Sequence, residues 1–394
     1  MALLRAHAEP PDVPRRVMIA GTIAGSAPNY GGDTHSLLPY LVGFRRLGFE
    51  VFYVEDFRRE TYLDAGRNPT SFGGSAGVEY FSEIVRRFDL DGRAALLGNG
   101  DHHVGLSLEE CEKIASDVDL FINRSGRFHL YSVPRRARRR MYLDVDPGYT
   151  QVWQHAYGVD MNLREQDVYV TVGLNVGEPD CPFPTCGIRW EKTLPPVVLD
   201  EWANDLPPGA AYSTVADWRG FASIEWAGVS YGQKCDAFLR ILDLPRRVAV
   251  PLELCLLIAA HDPDRVKLIE NGWRLADPAV HTATPDAYHR YVVGSRGEVS
   301  AVKPGYSAAR TGWFSDRSAC YLAAGRPVIV EDTGFGAHVP TGAGVLAFTD
   351  VESAAAAIDD VERDYSRHAR AARAFAREHL DSDRVLARLL TLAP

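Results

Sequence analysis

Apolar residues in this chain come in short buried-type runs, separated by longer stretches with one apolar face, the pattern of parallel strands alternating with helices. Arg16 to Thr22 predicts a first buried strand, and Ile23 to Thr34 a glycine-rich loop with Gly25, Gly31 and Gly32. Ser36 is expected to cap a helix to about Leu47, with Leu37, Leu41 and Phe44 on its apolar stripe, Pro39 in its first turn and Gly48 as its stop. Val51 to Val54 predicts the next strand, followed by strands at Leu120 to Asn123, Met141 to Val145 and Val168 to Val172. Prolines then crowd 179–208, and an interdomain connection is expected near 193–211. A second alternation follows: a strand at Tyr212 to Val215, a helix at Lys234 to Leu242, and strands at Arg247 to Val250, Tyr291 to Gly294 and Val299 to Val302. Residues 312–334 read as loop, short helix capped by Ser315 and stopped by Gly325, buried strand from Pro327 to Val330, and polar loop. The tail from Val351 to Leu390 is helical, with Val361, Tyr365, His368, Ala372 and Phe375 at steps of four and three, and Ser382 capping a last helix.

Length adds that 394 residues exceed one ordinary core, so two α/β domains or more are expected. A net charge of −9 argues against a general nucleic-acid binder, and no nucleic-acid partner is expected. No run of apolar residues is long enough for a membrane span. The first 16 residues lack the apolar core of a signal peptide and read as a mobile lead-in. Six cysteines without metal spacing suit reduced thiols in a cytoplasm, although Cys181 and Cys186 lie close in sequence.

The helix that Ser315 starts offers backbone N–H groups and a positive dipole end, a place to hold a diphosphate. Three motifs then occur in a telling order. Gly31-Gly32 precede a helix closed by Gly48, Tyr231-Gly232-Gln233-Lys234 opens a second-half helix, and Ala323-Ala324-Gly325-Arg326-Pro327-Val328 precedes a strand. Together they resemble the bacterial GT-B nucleotide-sugar glycosyltransferases of the family 4 and family 1 type. The resemblance implies an α/β chain with two Rossmann-like parallel-sheet domains facing across a cleft. Residues 1–195 would bind the acceptor and 196–350 the nucleotide sugar, with helices at 351–394 packing back toward the first domain. Retaining family 4 enzymes carry two glutamates eight residues apart, and here Gly312 and Cys320 hold those places. Either Asp316, Arg317 and Asp332 substitute, or the stereochemistry differs, so inversion and retention stay open.

Candidate residues follow. Gly31 and Gly32 let a backbone approach a phosphate or sugar, or form an ordinary turn. Asp33, His35 and Asp56 are candidate bases for an acceptor hydroxyl, against helix-end electrostatics, a surface imidazole and a polar strand end. Asp144 and Asp146 fit an Asp-x-Asp metal pattern, but Pro147-Gly148 ends the strand, and an acceptor-binding role is preferred with no metal. The run Arg135 to Arg140 reads as a solvated face. Arg219 and Lys234 would stabilise a departing diphosphate. Ser315, Asp316, Arg317 and Ser318 would meet phosphates, and Trp313 a base or sugar, while Asp332, Thr333 and Gly334 would hold the sugar.

The expected activity is metal-independent transfer of a hexose-type sugar from a UDP-, GDP- or dTDP-linked donor to a small-molecule hydroxyl, with no further cofactor. Alanine and arginine richness fits a bacterial natural-product pathway. A sugar-nucleotide epimerase and a non-catalytic sugar-nucleotide-binding partner are the alternatives. The nucleotide base, the acceptor and homodimerisation stay open.

Overall fold

The structure, a computed structural model, describes residues 15–24, 31–220 and 222–393. The expected lead-in, up to residue 14, and Gly25 of the glycine loop lie outside the described residues. Strands β1 (Arg16–Ala20), β2 (Glu50–Asp56), β3 (Ala94–Leu97), β4 (His103–Gly105), β5 (Leu120–Arg124), β6 (Arg140–Asp144), β7 (Val168–Thr171) and β8 (Glu191–Lys192) form one sheet. Its spatial order is β8-β7-β6-β5-β1-β2-β3-β4, and every pair is parallel except β3 with β4. A second sheet holds β9 (Tyr212–Asp217), β10 (Leu252–Leu257), β11 (Arg274–Ala276), β12 (Gly297–Ser300), β13 (Val328–Glu331) and β14 (Val345–Phe348), in the all-parallel order β11-β10-β9-β12-β13-β14. Central strands such as β1, β3, β12 and β13 are buried along nearly their whole length, as helices on both faces of a parallel sheet require.

Helix α1 (Gly31–Arg46) starts earlier than Ser36, so Pro39 sits in its interior rather than its first turn. The early start follows from docking: the Gly31 N–H donates to Thr282 O of the second domain at 2.7 Å. Arg247 to Val250 forms no strand; β10 begins after Pro251. Tyr291 to Gly294 ends a helix, α3 (Pro285–Val293), because Thr284 caps it with Pro285 in the first turn and Tyr288 and Val292 share its buried face. Helix α2 (Lys234–Arg240), placed before it in the chain, and α4 (Asp316–Ala323), placed after, both begin beside the cleft. The last helix, α5 (Ser382–Leu392), buries Leu386 and Leu389 in the first domain's core, and Gly43 of α1 lets Leu386 pack close. Among the described residues no helix is long and apolar enough to cross a membrane. All six cysteines are free thiols, and four arginines of the 135–140 run make ion pairs along the surface.

Candidate active site

A cavity of about 820 Å³ lies between the two sheets, lined from both. On the second domain's wall, Lys234 stands at the start of α2, after Gln233 in the cap position. Its ammonium makes no hydrogen bond or ion pair among the described residues. Burial pushes its pKa well below the lysine range, and repulsion from Arg317 and Lys303 adds to this against the pull of Glu298 and Asp217. Lys303 follows β12 into the same cavity. Burial lowers its pKa to about 8, opposed by Asp146, whose Oδ1 lies 3.7 Å from Nζ. Tyr306 donates to the same Asp146 oxygen at 2.8 Å, and Trp313 stacks on Tyr306 with centroids 4.4 Å apart.

On the first domain's wall, Asp33 sits in the first turn of α1 with one face open to the cavity. Its place deep in the cleft, away from bulk water, raises its pKa to about 6, opposed by Arg124 and reinforced by Asp316 and Asp146. Arg124 donates to Ser36 Oγ at 2.7 Å and lies 4.0 Å from Asp316 Oδ2, a charge contact across the cleft. Gly32, Ser315 and Asp316 also line the cavity, and Ser315 caps α4 by accepting from the Arg317 N–H.

Several expected site residues stand elsewhere or are engaged in other ways. His35 faces away from the cavity: its Nε2 bonds Pro285 O at 2.9 Å, and its ring packs on Trp202 and Tyr288. Burial there lowers its pKa to about 4, and its bond to Pro285 O joins the domains outside the cavity lining, out of reach of an acceptor in the lumen. Asp56 lines the cavity, but Arg58 and the His129 N–H hold it ionised and below the usual carboxylate range despite its burial. Gly31 has already spent its N–H on Thr282, and a Cβ would fall 2.3 Å from Thr284 O, so its glycine serves domain contact rather than phosphate approach.

Asp144 is fully buried and accepts from Thr150, Gln151 and Thr171, a structural role that leaves only Asp146 at the cavity. Among the described residues no three His, Cys, Asp or Glu side chains converge as metal ligands. Arg219 lies outside the cavity lining and pairs with Asp262 and Asp264. Arg317 borders the cavity, yet each of its guanidinium nitrogens donates elsewhere, to Glu298 at 2.5 Å, Val215 O at 3.0 Å and Ser300 at 2.7 Å. Ser318 is buried away from the lumen. The polar loop after β13 also turns away: Asp332 caps the Gly334 N–H, Thr333 donates to Trp313 O, and Gly334 takes φ +88° against Asn175.

Lys303, Tyr306, Arg58, Arg59, Arg124, Arg127 and His129 line the cavity without having been singled out. All lie at or just beyond the carboxyl ends of β2, β5 or β12, which is the signal that would have found them.

Two parallel α/β sheets facing across such a cleft define the GT-B fold, and this chain has it. Solved structures match it over nearly its whole length. An alpha-glucosyltransferase in complex with UDP aligns over 96% of this chain and 99% of its own, with TM-score 0.56 and 10% identity. AviGT4, a glycosyltransferase involved in avilamycin A biosynthesis, aligns over 96% and 97%, with TM-score 0.55 and 11% identity. An alpha-glucosyltransferase in complex with UDP and a 13-mer DNA aligns over 96% and 98%, with TM-score 0.57 and 10% identity. No protein-family model matches the sequence, and no curated protein matches it. The DNA complex corrects the expectation that nucleic acid is excluded as a partner. The physical reason is that net charge averages over a surface, whereas a cleft has its own balance. Here seven cationic side chains line the cavity against five carboxylates, in a chain of net charge −9.

Proposed function

We propose that the protein transfers a sugar from a nucleoside-diphosphate donor to an acceptor hydroxyl. The observation that carries this reading is Lys234, a half-buried cation facing the cavity without an ion-pair partner among the described residues, at the start of a helix in a GT-B cleft. Such a cation is unfavourable until an anion arrives. In this reading the donor's diphosphate lies against Lys234, Lys303 and the dipole end of α4 at Ser315. The acceptor oxygen attacks the anomeric carbon, the bond from that carbon to the β-phosphate oxygen breaks, and the electron pair leaves with the diphosphate. The two ammonium groups stabilise the charge that develops there, a task that needs no metal in this reading. Asp33 takes the hydroxyl proton, since its raised pKa keeps it basic and its carboxyl faces the lumen. Glycosyltransferase structures with the same fold support the reading, two of them in complex with UDP.

Thermal unfolding with UDP, GDP, dTDP and NAD tests it. One nucleoside diphosphate should raise Tm, by an amount equivalent to about 2.7 kcal/mol at a hundredfold excess over Kd. Lys234→Ala should abolish that rise without lowering the Tm of the unliganded protein. Stabilisation by NAD alone would overturn the proposal.

A further inference from the structure

Lys303 belongs to the second domain by chain, yet its ammonium lies against groups of the first. Asp146, just beyond the end of β6, places Oδ1 3.7 Å from Lys303 Nζ, and the ring centroid of Tyr149 lies 5.2 Å from that nitrogen. The Tyr306 hydroxyl, from the second domain, donates to the same Oδ1 at 2.8 Å, and its ring centroid lies 5.4 Å from Nζ. Two features build this contact. Buried Asp144 accepts from the Asp146 N–H at 3.1 Å and fixes the turn that presents the carboxylate. Gly305 lets the loop after β12 close on the first domain, since a Cβ there would fall 2.7 Å from the Tyr149 hydroxyl. Asp146 and Lys303 leave only 23% and 17% of their side chains exposed, and both line the cavity. Lys234, the other lysine of the proposed donor wall, makes no ion pair among the described residues. An ammonium withdrawn from water tends to lose its proton, and a carboxylate within about 4–6 Å opposes that loss. Asp217 and Asp33 pull on Lys303 in the same direction less strongly than Asp146 does, and Lys234 repels it.

Resting on the glycosyl-transfer reading, we infer that Asp146 is a positioning residue: from the first domain it holds Lys303 toward the donor's diphosphate and keeps it an ammonium, without itself touching the donor. Asp144 and Asp146 then share one task, the first setting the turn and the second presenting the charge. Without that carboxylate, Lys303 should still grip a diphosphate at low pH and fail at high pH, because burial would act against its charge with less opposition.

The test is calorimetric titration of the full chain with UDP, GDP and dTDP at about pH 6.5 and about pH 9. Each variant's affinity is taken relative to the wild type at the same pH, so that ionisation of the nucleotide cancels. Asp146→Asn should bind within about threefold of the wild type at the lower pH and about tenfold or more weakly at the higher, since removing an opposite charge at this distance lowers a lysine pKa by about one unit or more. Lys303→Arg stays charged across the range and should lose less affinity than the wild type between the two pH values; the fall that remains belongs to Lys234. Adding Asp146→Asn to Lys303→Arg should then cost less than about threefold at either pH. Unchanged Tm values would show that the variants fold. An equal loss for Asp146→Asn at both pH values would make it a structural support only, and no loss at either would leave Lys303 independent of it; each result overturns the inference. A fall for Lys303→Arg as steep as that of the wild type also overturns it, whether or not Asp146→Asn folds. Absence of binding by all three nucleotides to the wild type would instead overturn the glycosyl-transfer reading on which it rests.

Discussion

In the proposed reaction Asp33 and Lys303 would set the working pH. Burial raises the first to about 6 and lowers the second to about 8. Asp33 accepts a proton only as a carboxylate, so kcat/KM should fall as pH drops through 6. Lys303 stabilises a leaving diphosphate only as an ammonium, so kcat/KM should fall again as pH rises through 8. A pH profile of kcat/KM with a plateau between these limbs is expected, and Asp33→Asn should erase the acid limb and lower kcat by about 10²–10⁴. The same shift has a stability consequence of opposite sign. The folded pKa of Asp33 lies above the ordinary aspartate value of 3.8. Its contribution to stability is therefore full below pH 4 and lost as pH rises through 6. At pH 8 Asp33→Asn should melt at a higher temperature than the wild type while turning over more slowly; a lower Tm would show that the cleft does not disfavour the carboxylate. Sequence alone singled out Asp33 because an acid follows Gly31-Gly32, but it could not separate it from His35. Residues two apart on a helix face different directions, so one meets the lumen and the other Pro285. Asp144 and Asp146 part for a related reason: one ends inside β6 among hydroxyl and amide donors, and the other stands beyond the strand.

At the scale of elements, the block from Trp313 to Gly334 was legible because every local signal agreed: a serine cap, a glycine stop at φ +73° and a β-branched strand between turns. β3 and β14 were not, since Ala94-Ala95 and Ala347 weaken the strand signal and only burial in the sheet decides it. α3 was read as a strand from its apolar end, while the Thr284-Pro285 start went unread. What no periodicity reveals is how α4 is anchored. Arg317 reaches from its second position to Glu298 on β12, Val215 O on β9 and Ser300. Glu298 is fully buried, and its other oxygen has no partner among the described residues. Arg317→Ala would leave that carboxylate uncompensated, and chemical denaturation should show a loss of about 3–5 kcal/mol. Restoring charge balance with Glu298→Gln in the same chain should recover part of it. A loss below about 1 kcal/mol for Arg317→Ala would mean that the pair does not hold the helix that points at the cleft.

The cleft belongs to neither domain, so its geometry depends on how the two meet. α1 carries contacts on both its ends. At its start the Gly31 N–H bonds Thr282 O and His35 bonds Pro285 O, both on the second domain. Toward its end, Gly43 admits Leu386 and Ser382 of α5, the helix that the chain's tail sends back. The lysines proposed for the donor lie on one side of this junction and Asp33 on the other. A change at the start of α1 should thus move the base relative to the sugar without touching either group. Gly31→Ala is the sharpest such change, because its Cβ would fall 2.3 Å from a backbone oxygen that cannot rotate away. The domains must separate locally, and a displacement near 1 Å at a reacting centre costs about 10²-fold in rate. UDP affinity should change by less than about threefold, since the contacts proposed for it lie on the second domain alone. In the same variant kcat should fall by about tenfold to a hundredfold, and solution scattering should show a larger radius of gyration. Equal losses of UDP binding and kcat would place the donor across both walls. No loss of either would show that the domains adjust their contact freely, and that the junction does not set the distance from Asp33 to the bond being made.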